Sequence, residues 1–402
     1  MSILVRQLVL RNYKSIAQAK ADFSDLTVFV GPNGVGKSNL IDALHFVSDS
    51  LSSTLDLAMR QRGGIGAVRR HSGGHPNHFA IALRLRLNEE QEAHYAFRIG
   101  AKPAGGFVVQ HEQAVVSEAA LRQHYFEVRS GQLQAASDAL AVAPKVTDDR
   151  LFLTSVSGVP AFRSLHDALT AMAFYNINPA AVRGIHPHDP GERLARDGAN
   201  LAAVIKRLSD QDHQSLDRIQ QYLTRIIPDV EKIEHQALGP QETLVFRQRV
   251  RGQKDPWRFH AGSMSDGTLR SLGVLAALFQ WGLRKQEPSP LVAIEEPEAT
   301  VHPGAAATIA EALLEAARTK QIIMTTHSPD LLDHESLSEA AIYSVDKFKA
   351  ETTVAPVNEA SMSAIRDGLY TPGELLREGQ LEPAFDKATT EIGQRDLFQV
   401  LP

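Results

Sequence analysis

The segment Gly31-Pro-Asn-Gly-Val-Gly-Lys-Ser38 puts a lysine and a hydroxyl directly behind a glycine-rich turn. Those types in that order suit phosphate. Glycine has no side chain to block an approaching anion, so backbone N–H groups can curl around it. A helix opening at Lys37 would point its positive end at the same place. Lys37 would reach the β- and γ-phosphates, and the Ser38 hydroxyl would hold Mg²⁺. A glycine-rich stretch that is only a turn is the plain alternative. The flanks argue against it, with an apolar run from Leu26 to Val30 before and helical spacing of Leu40, Ile41, Leu44 and Val47 after. Gly31, Pro32, Asn33, Gly34, Val35, Gly36, Lys37, Ser38 and Asn39 are the candidate nucleotide-binding residues.

A second set lies far along the chain. Leu291-Val-Ala-Ile-Glu295-Glu296-Pro-Glu298 is an apolar strand ending in acids. A buried strand of that kind delivers its carboxylates to the mouth of a sheet, where ligands sit in open α/β folds. One carboxylate can hold Mg²⁺, directly or through water. Its neighbour points the other way and could polarise an attacking water. Thr325-Thr-His327-Ser-Pro ends the next apolar run, and His327 could contact a γ-phosphate or be structural. Met264-Ser265-Asp266-Gly267-Thr268 precedes a helical run from Leu269 to Trp281. Ser265 and the Gly267 backbone would offer donors at a helix N-terminus. Taken alone, Ser265 is an N-cap.

The elements that must position these groups follow from periodicity. Residues 3–10 read as a strand ending in a polar turn at Arg11 to Ser15. Phe79 to Leu87 alternates bulky with small or charged residues, the period of a half-buried strand. His94 to Ile99 and Phe107 to Gln110 look like its antiparallel neighbours. Arg60 to Gly64 with Arg69 to His71 is a basic loop, either solvated or in contact with phosphate. Arg193 to Leu208 and Asp212 to Ile227 carry helical spacing. Thr243 to Val250 returns to strand alternation. Arg247, Arg249, Arg251, Lys254 and Arg258 form a second basic cluster, read chiefly as a hairpin's solvent face. After residue 260, apolar runs at Leu291 to Ile294, Gln321 to Thr325 and Ala341 to Val345 alternate with helices near 268–284 and 304–319. That progression predicts a parallel sheet covered by helices. Residues 351–402 show turns and one or two helices, without a motif.

Bulk composition sets limits. The chain has 402 residues, 43% of them hydrophobic and 22% charged, enough for a sizeable core. It has no cysteine, which excludes disulfides, thiolate metal sites and cysteine nucleophiles. The net charge of -5 is not the overall charge of a nucleic-acid coat. No signal-peptide pattern and no bilayer-length apolar stretch stands out, so a cytoplasmic location without a membrane partner is expected.

Taken together the motifs resemble the ABC-type ATPase head shared by SMC, RecF and OLD-like proteins. Residues 31–38 match the Walker A form of that group. Ser265-Asp-Gly-Thr268 resembles its signature, Glu295-Glu-Pro-Glu298 its Walker B, and Ala299 to Pro303 the D-loop. Thr326-His327-Ser-Pro resembles the switch histidine, and Arg11 to Ser15 the first-strand segment. The resemblance implies an α/β fold: a mixed β-sheet with helices, an antiparallel β subdomain and an inserted helical subdomain. The expected segments are 1–155 and 241–350 for the ATPase lobes, 156–240 for the helical insert and 351–402 for an extension. It implies ATP and Mg²⁺ as cofactors and two heads clasping ATP as a homodimer. In that scheme Lys37, Ser38 and Glu295 hold phosphate and metal, Glu296 orients the water, and His327 senses the γ-phosphate. Ser265 and Gly267 complete the partner's site. The implied function is an ATP-hydrolysing switch in DNA repair or defence against foreign DNA, acting with a separate effector and with DNA as a possible ligand. A non-hydrolytic DNA clamp and a transporter subunit are the alternatives. Glu295 stands where aspartate is commonest in the group. The insert lacks a long coiled coil. No Toprim-like segment follows His327, so the chain is not expected to cut DNA itself. The Q-loop glutamine is open between Gln61 and Gln110.

Overall fold

The structure is a computed structural model that describes residues 4–71, 76–118, 122–280, 291–334, 337, 340–348, 351–385 and 392–401. The chain divides into two compact units. One comprises Met1–Met172, Ala341–Asp367 and Gly379–Pro402, the other Ala173–Ala340 and Gly368–Glu378.

The strands of the first unit are β1 (Leu4–Tyr13), β2 (Ile16–Asp22), β3 (Leu26–Val30), β4 (His78–Arg86), β5 (Gln91–Ala101), β6 (Phe107–Glu118), β7 (Arg122–Arg129) and β8 (Gln132–Ala136), then, later in the chain, β16 (Ala341–Phe348) and β17 (Glu351–Pro356). They lie in the order β8-β7-β6-β5-β4-β1-β2-β17-β16-β3. Pairing is antiparallel from β8 through to β2, and parallel between β16 and β3. The helices here are α1 (Lys37–Ser52), α2 (Leu55–Arg60), α3 (Ile65–Val68), α4 (Phe152–Val156), α5 (Pro160–Thr170) and, after β17, α12 (Glu359–Arg366).

The expected antiparallel sheet is present, but β4 is not half-buried. Phe79 to Leu83 are all buried, because both faces of the strand are covered. The bulky side packs Phe79 edge-on against Tyr13 and Phe46, with ring centroids 5.7 and 5.5 Å apart. The small side, Ala80 and Ala82 with Ala96 of β5 and Val9 of β1, seats Ile392, Leu397 and Phe398 of the C-terminal segment. The alternation of large and small is thus a difference between two buried faces.

The second unit holds β9 (Ala173–Tyr175), β10 (His186–Pro187), β11 (Val230–Leu238), β12 (Gln241–Gln248), β13 (Trp257–His260), β14 (Leu291–Glu295) and β15 (Gln321–Thr326). Three of them run parallel in the order β15-β14-β9. A small antiparallel sheet has the order β10-β12-β11, with β13 added to β12. The helices are α6 (Pro179–Arg183), α7 (Leu201–Gln211), α8 (His213–Ile226), α9 (Asp266–Phe279), α10 (Ala306–Ala317), α11 (Pro329–Leu332) and α13 (Pro372–Arg377). β14 and β15 are buried at every position, which is why they read as continuous apolar runs. α9 is buried from Thr268 to Leu278, as a helix apolar all round must be.

Several expectations shift. The helix expected from Arg193 begins only at Leu201. Asn200 accepts from the Ala195 N–H at 2.7 Å and donates to the Arg193 carbonyl at 2.9 Å, while Gly198 sits at φ 83, so the preceding segment is a bonded loop. The basic stretch read as a loop at 60–71 contains the end of α2 and all of α3. The helix expected to reach residue 284 is α9; residues 281–290 lie outside the described ones. β2, β7, β8, β11 and β17 were not foreseen. The insert at 156–240, expected to be helical, also carries β9, β10 and β11 beside its helices. Among the described residues no helix is long and apolar enough to cross a membrane.

Candidate functional site

In the first unit, β3 delivers the chain to the glycine-rich turn and α1 leaves it. Gly34 and Gly36 sit at φ 79 and 109, backbone that other residues rarely adopt. A Cβ on Gly36 would stand 2.4 Å from Thr352 Oγ1 and 2.7 Å from Ser15 Oγ. One on Gly31 would stand 2.0 Å from the Val345 carbonyl oxygen. Lys37 folds back over the turn, and its Nζ donates to the carbonyls of Gly31 at 2.7 Å and Pro32 at 2.9 Å. α1 starts at Gly36 with no side-chain cap and no acid in its first turn, unlike α2 and α9, which Thr54 and Ser265 cap. No side-chain cap or first-turn acid competes with an anion there, so this turn fits a phosphate. Pro32, Asn33, Gly34 and Ser38 are exposed around it, whereas Val35 is buried beneath.

The floor of the turn comes from residues distant in sequence. Thr352 of β17 donates to the Val35 carbonyl at 2.6 Å. Its hydroxyl is also 2.6 Å from that of Ser15, to which the Asn39 amide donates at 2.7 Å. Asn39, predicted to touch nucleotide, thus spends its amide on the floor. Tyr13 and Lys14 brace α1 through Asp42, at 2.7 and 2.6 Å. Arg62, offered by the sequence as a phosphate contact, donates to Asp42 and Asp49, each at 2.9 Å. Burial opposes charge on Asp42, yet Arg62 and Lys14 hold its carboxyl below the usual range. Arg70 pairs with Glu351. Arg62 and Arg70 are thus taken up in ion pairs, whereas Arg60 is exposed. Gln61 is exposed at the end of α2. Gln110 lies in β6, its side chain packed over Gly100.

In the second unit, the registers of β9, β14 and β15 align their C-terminal ends, with Tyr175 opposite Ile294 and Glu295 opposite Thr325. Glu296, just past β14, sits at φ 45, a left-handed backbone that costs a non-glycine residue of order 1 kcal/mol or more. The Thr325 carbonyl accepts its N–H at 3.0 Å. The buried Nδ1 of His327 lies 3.2 Å from a Glu296 carboxylate oxygen, at ion-pair range but without hydrogen-bond geometry. Glu298 is buried, one oxygen accepting from Thr326 and the other without a hydrogen-bond partner. Burial raises its carboxyl. Carboxylate oxygens of this kind, with Glu295 and Glu296 just before it in the chain, are the donors a hard cation such as Mg²⁺ takes.

Two arginines that sequence reading missed organise this edge. Arg196, in the loop before α7, donates to Glu295 Oε1 at 2.9 Å. Arg270, on the first turns of α9, donates to the carbonyls of Ile177 at 2.8 Å, Glu295 at 3.1 Å and Glu296 at 2.9 Å. Burial lowers the Arg270 guanidinium despite the three nearby carboxylates. Both line an open cleft of about 650 Å³ with Asn176 to Pro179 and Asp197. No local pattern in the sequence marks either arginine. At the head of α9, Ser265 is exposed and its hydroxyl accepts from the Thr268 N–H at 3.2 Å. A Cβ on Gly267 would meet the Thr300 carbonyl oxygen at 2.6 Å, so only glycine fits against that turn. Asp266 pairs with Arg183.

Comparison with known proteins agrees with this geometry. The family model described as "AAA domain, putative AbiEii toxin, Type IV TA system" matches residues 26–333. The DNA replication and repair protein RecF of Streptococcus agalactiae is 26% identical over 145 residues, 32% of this chain and 38% of that protein. RecF of Porphyromonas gingivalis is 49% identical over 47 residues, 11% of this chain and 13% of that one. The chain thus spans well under half the length of these curated relatives. Among solved structures, an SMC head bound to the C-terminal winged-helix domain of ScpA aligns with a TM-score of 0.56 at 17% identity, covering 89% of this chain and 99% of that one. The family match covers more than half of the sequence, and the chain belongs to that AAA-domain family, with the fold of an ABC-type ATPase head of the SMC and RecF kind.

Proposed function

We propose that this chain is an ATP-hydrolysing switch whose two heads close on nucleotide and part after hydrolysis. The observation that carries the reading is the backbone of Glu296, held left-handed at a strand end with its carboxylate beside His327. Strain of this kind persists where a side chain must be aimed. Lys37 neutralises charge on the β- and γ-phosphates, and the uncapped start of α1 binds them. Bound Mg²⁺, held by Ser38 and Glu295, would supply charge neutralisation at the transferred phosphoryl group. Glu296 accepts the proton of the attacking water, and His327 donates toward the γ-phosphate. Arg196 holds the Glu295 carboxylate in place. Ser265 and the Gly267 N–H serve the γ-phosphate bound by the other copy, because the exposed cap offers donors outward.

The RecF resemblance supports a role on DNA, and the toxin–antitoxin description of the family supports a role in defence. In either setting the head acts with a separate effector. The same scheme without hydrolysis is a clamp that nucleotide merely assembles.

Complementation tests the scheme. Lys37→Ala and Ser265→Glu should each abolish ATP turnover alone. Mixed, they form one intact composite site, and turnover should return in part. No recovery on mixing, with both variants dimerising, would mean each head works on its own. Glu296→Gln should lower turnover by about 10²-fold or more while light scattering shows an ATP-stabilised dimer. Wild-type turnover no higher than that of Glu296→Gln would leave only the clamp.

A further inference from the structure

The small sheet of the second unit gathers three side chains that the ATPase scheme does not use. His235 is on β11 and Glu242 on β12, on either side of the turn at Gly239 and Pro240. β10 pairs His186 with Glu242, which brings His188 alongside, two residues on. His235 Nε2 lies 2.9 Å and His188 Nδ1 3.1 Å from the same carboxylate oxygen, Glu242 Oε2. The three candidate ligand atoms all lie within 4.8 Å of one another, the one such group among the described residues. Glu242 is 2% exposed, so its charge needs a partner.

The second nitrogen of His188 is also held in place. His188 Nε2 is 3.1 Å from the Gly239 carbonyl oxygen, a contact that only an N–H can make. With an N–H there, Nδ1 is the nitrogen that faces the carboxylate, and a cation seated between the two would neutralise Glu242. A histidine that ligates a metal commonly donates its far N–H to a backbone carbonyl in this way. The Asp189 N–H donates to the other Glu242 oxygen at 3.3 Å and fixes the carboxylate's rotation. Ligand atoms around a tetrahedral zinc, at its usual bond lengths, stand about 3.3 Å apart, close to the two histidine–carboxylate separations. Two imidazoles and a carboxylate suit such an ion, whereas Mg²⁺ prefers oxygens throughout. The exposed side of His188 leaves a fourth position for water.

We propose that His188, His235 and Glu242 bind one divalent cation of the zinc class, which fastens the segment after β10 to the β11–β12 hairpin. The probe is zinc alone, added to the untagged, chelator-treated full chain in the presence of excess magnesium. Elemental analysis after gel filtration should find one zinc per chain and calorimetry one site, with a raised melting temperature. His188→Ala, on the exposed loop, and His235→Ala should each reduce the stoichiometry to none, while His166→Ala should leave it at one. Cobalt(II) in the wild-type chain should give the intense visible absorption of a tetrahedral site, a readout that needs no variant. Failure to take up zinc, retention of zinc in both His188→Ala and His235→Ala, or equal competition by magnesium would overturn the assignment.

Discussion

Two buried residues on one sheet of the first unit respond to acid in opposite directions. Glu112 of β6 accepts from the N–H groups of Phe152 and Leu153 at the start of α4, and from the Tyr95 hydroxyl at 3.0 Å. Burial outweighs those donors and raises its carboxyl from 4.5 to about 7. The folded state therefore binds the proton more tightly, and this residue's contribution to stability falls as pH rises from about 4.5 to about 7. His94 of β5 is the reverse case. Burial, with Arg84 nearby, lowers its imidazole from 6.5 to about 4, so its contribution falls as pH drops through that window. Each amounts to about 3 kcal/mol at most. In the wild type the two slopes should nearly cancel between about pH 4.5 and 6.5. Denaturant titrations of Glu112→Gln should then show stability rising with pH there, and those of His94→Gln should show it falling. Parallel curves for all three proteins would remove both assignments. Neither residue could be picked out from sequence, since His94 and Glu112 sit at ordinary strand positions and owe their shifts to what covers them.

At the scale of the element, the glycine-rich turn is half of a device whose other half is β17. Its phosphate-facing part was readable because the glycines, Lys37 and Ser38 are contiguous, and the flanking patterns are strong. Its floor was not, because Thr352 meets Ser15 and Val35 across more than three hundred residues and belongs to a segment without a motif. β2 was missed for a related reason. Alanines at 17, 19 and 21 carry little strand preference of their own, and pairing with β1 decides their conformation. The acid-ended β14 was legible as a run, whereas Arg196 and Arg270, which fix its end, come from a loop and a helix. Thr352→Val tests the floor. It keeps the shape and removes two hydrogen bonds, at about 1–3 kcal/mol. The melting temperature should fall modestly and nucleotide affinity by several-fold, measured by fluorescent ATP titration. Unchanged affinity would confine Thr352 to stability.

At the scale of the molecule, the fold class expected from the motifs is the one observed, with the mixed and parallel strands of an ABC-type head. What the motifs could not convey was that the C-terminal segment covers a face of the antiparallel sheet. Nucleotide should act on the protein as a whole through linkage. ATP at about a hundred times its dissociation constant should add about 2.7 kcal/mol of stability. Scanning calorimetry should show that gain in the wild type and in Glu296→Gln, and none in Lys37→Ala. An equal gain in Lys37→Ala would move the binding site elsewhere. The position of Thr352 also bears on how the protein is made. A ribosome must translate more than three hundred residues past Val35 before the one that supports it leaves the exit tunnel. Until then the nascent loop lacks its underside, so the growing polypeptide should handle nucleotide poorly however early Lys37 emerges.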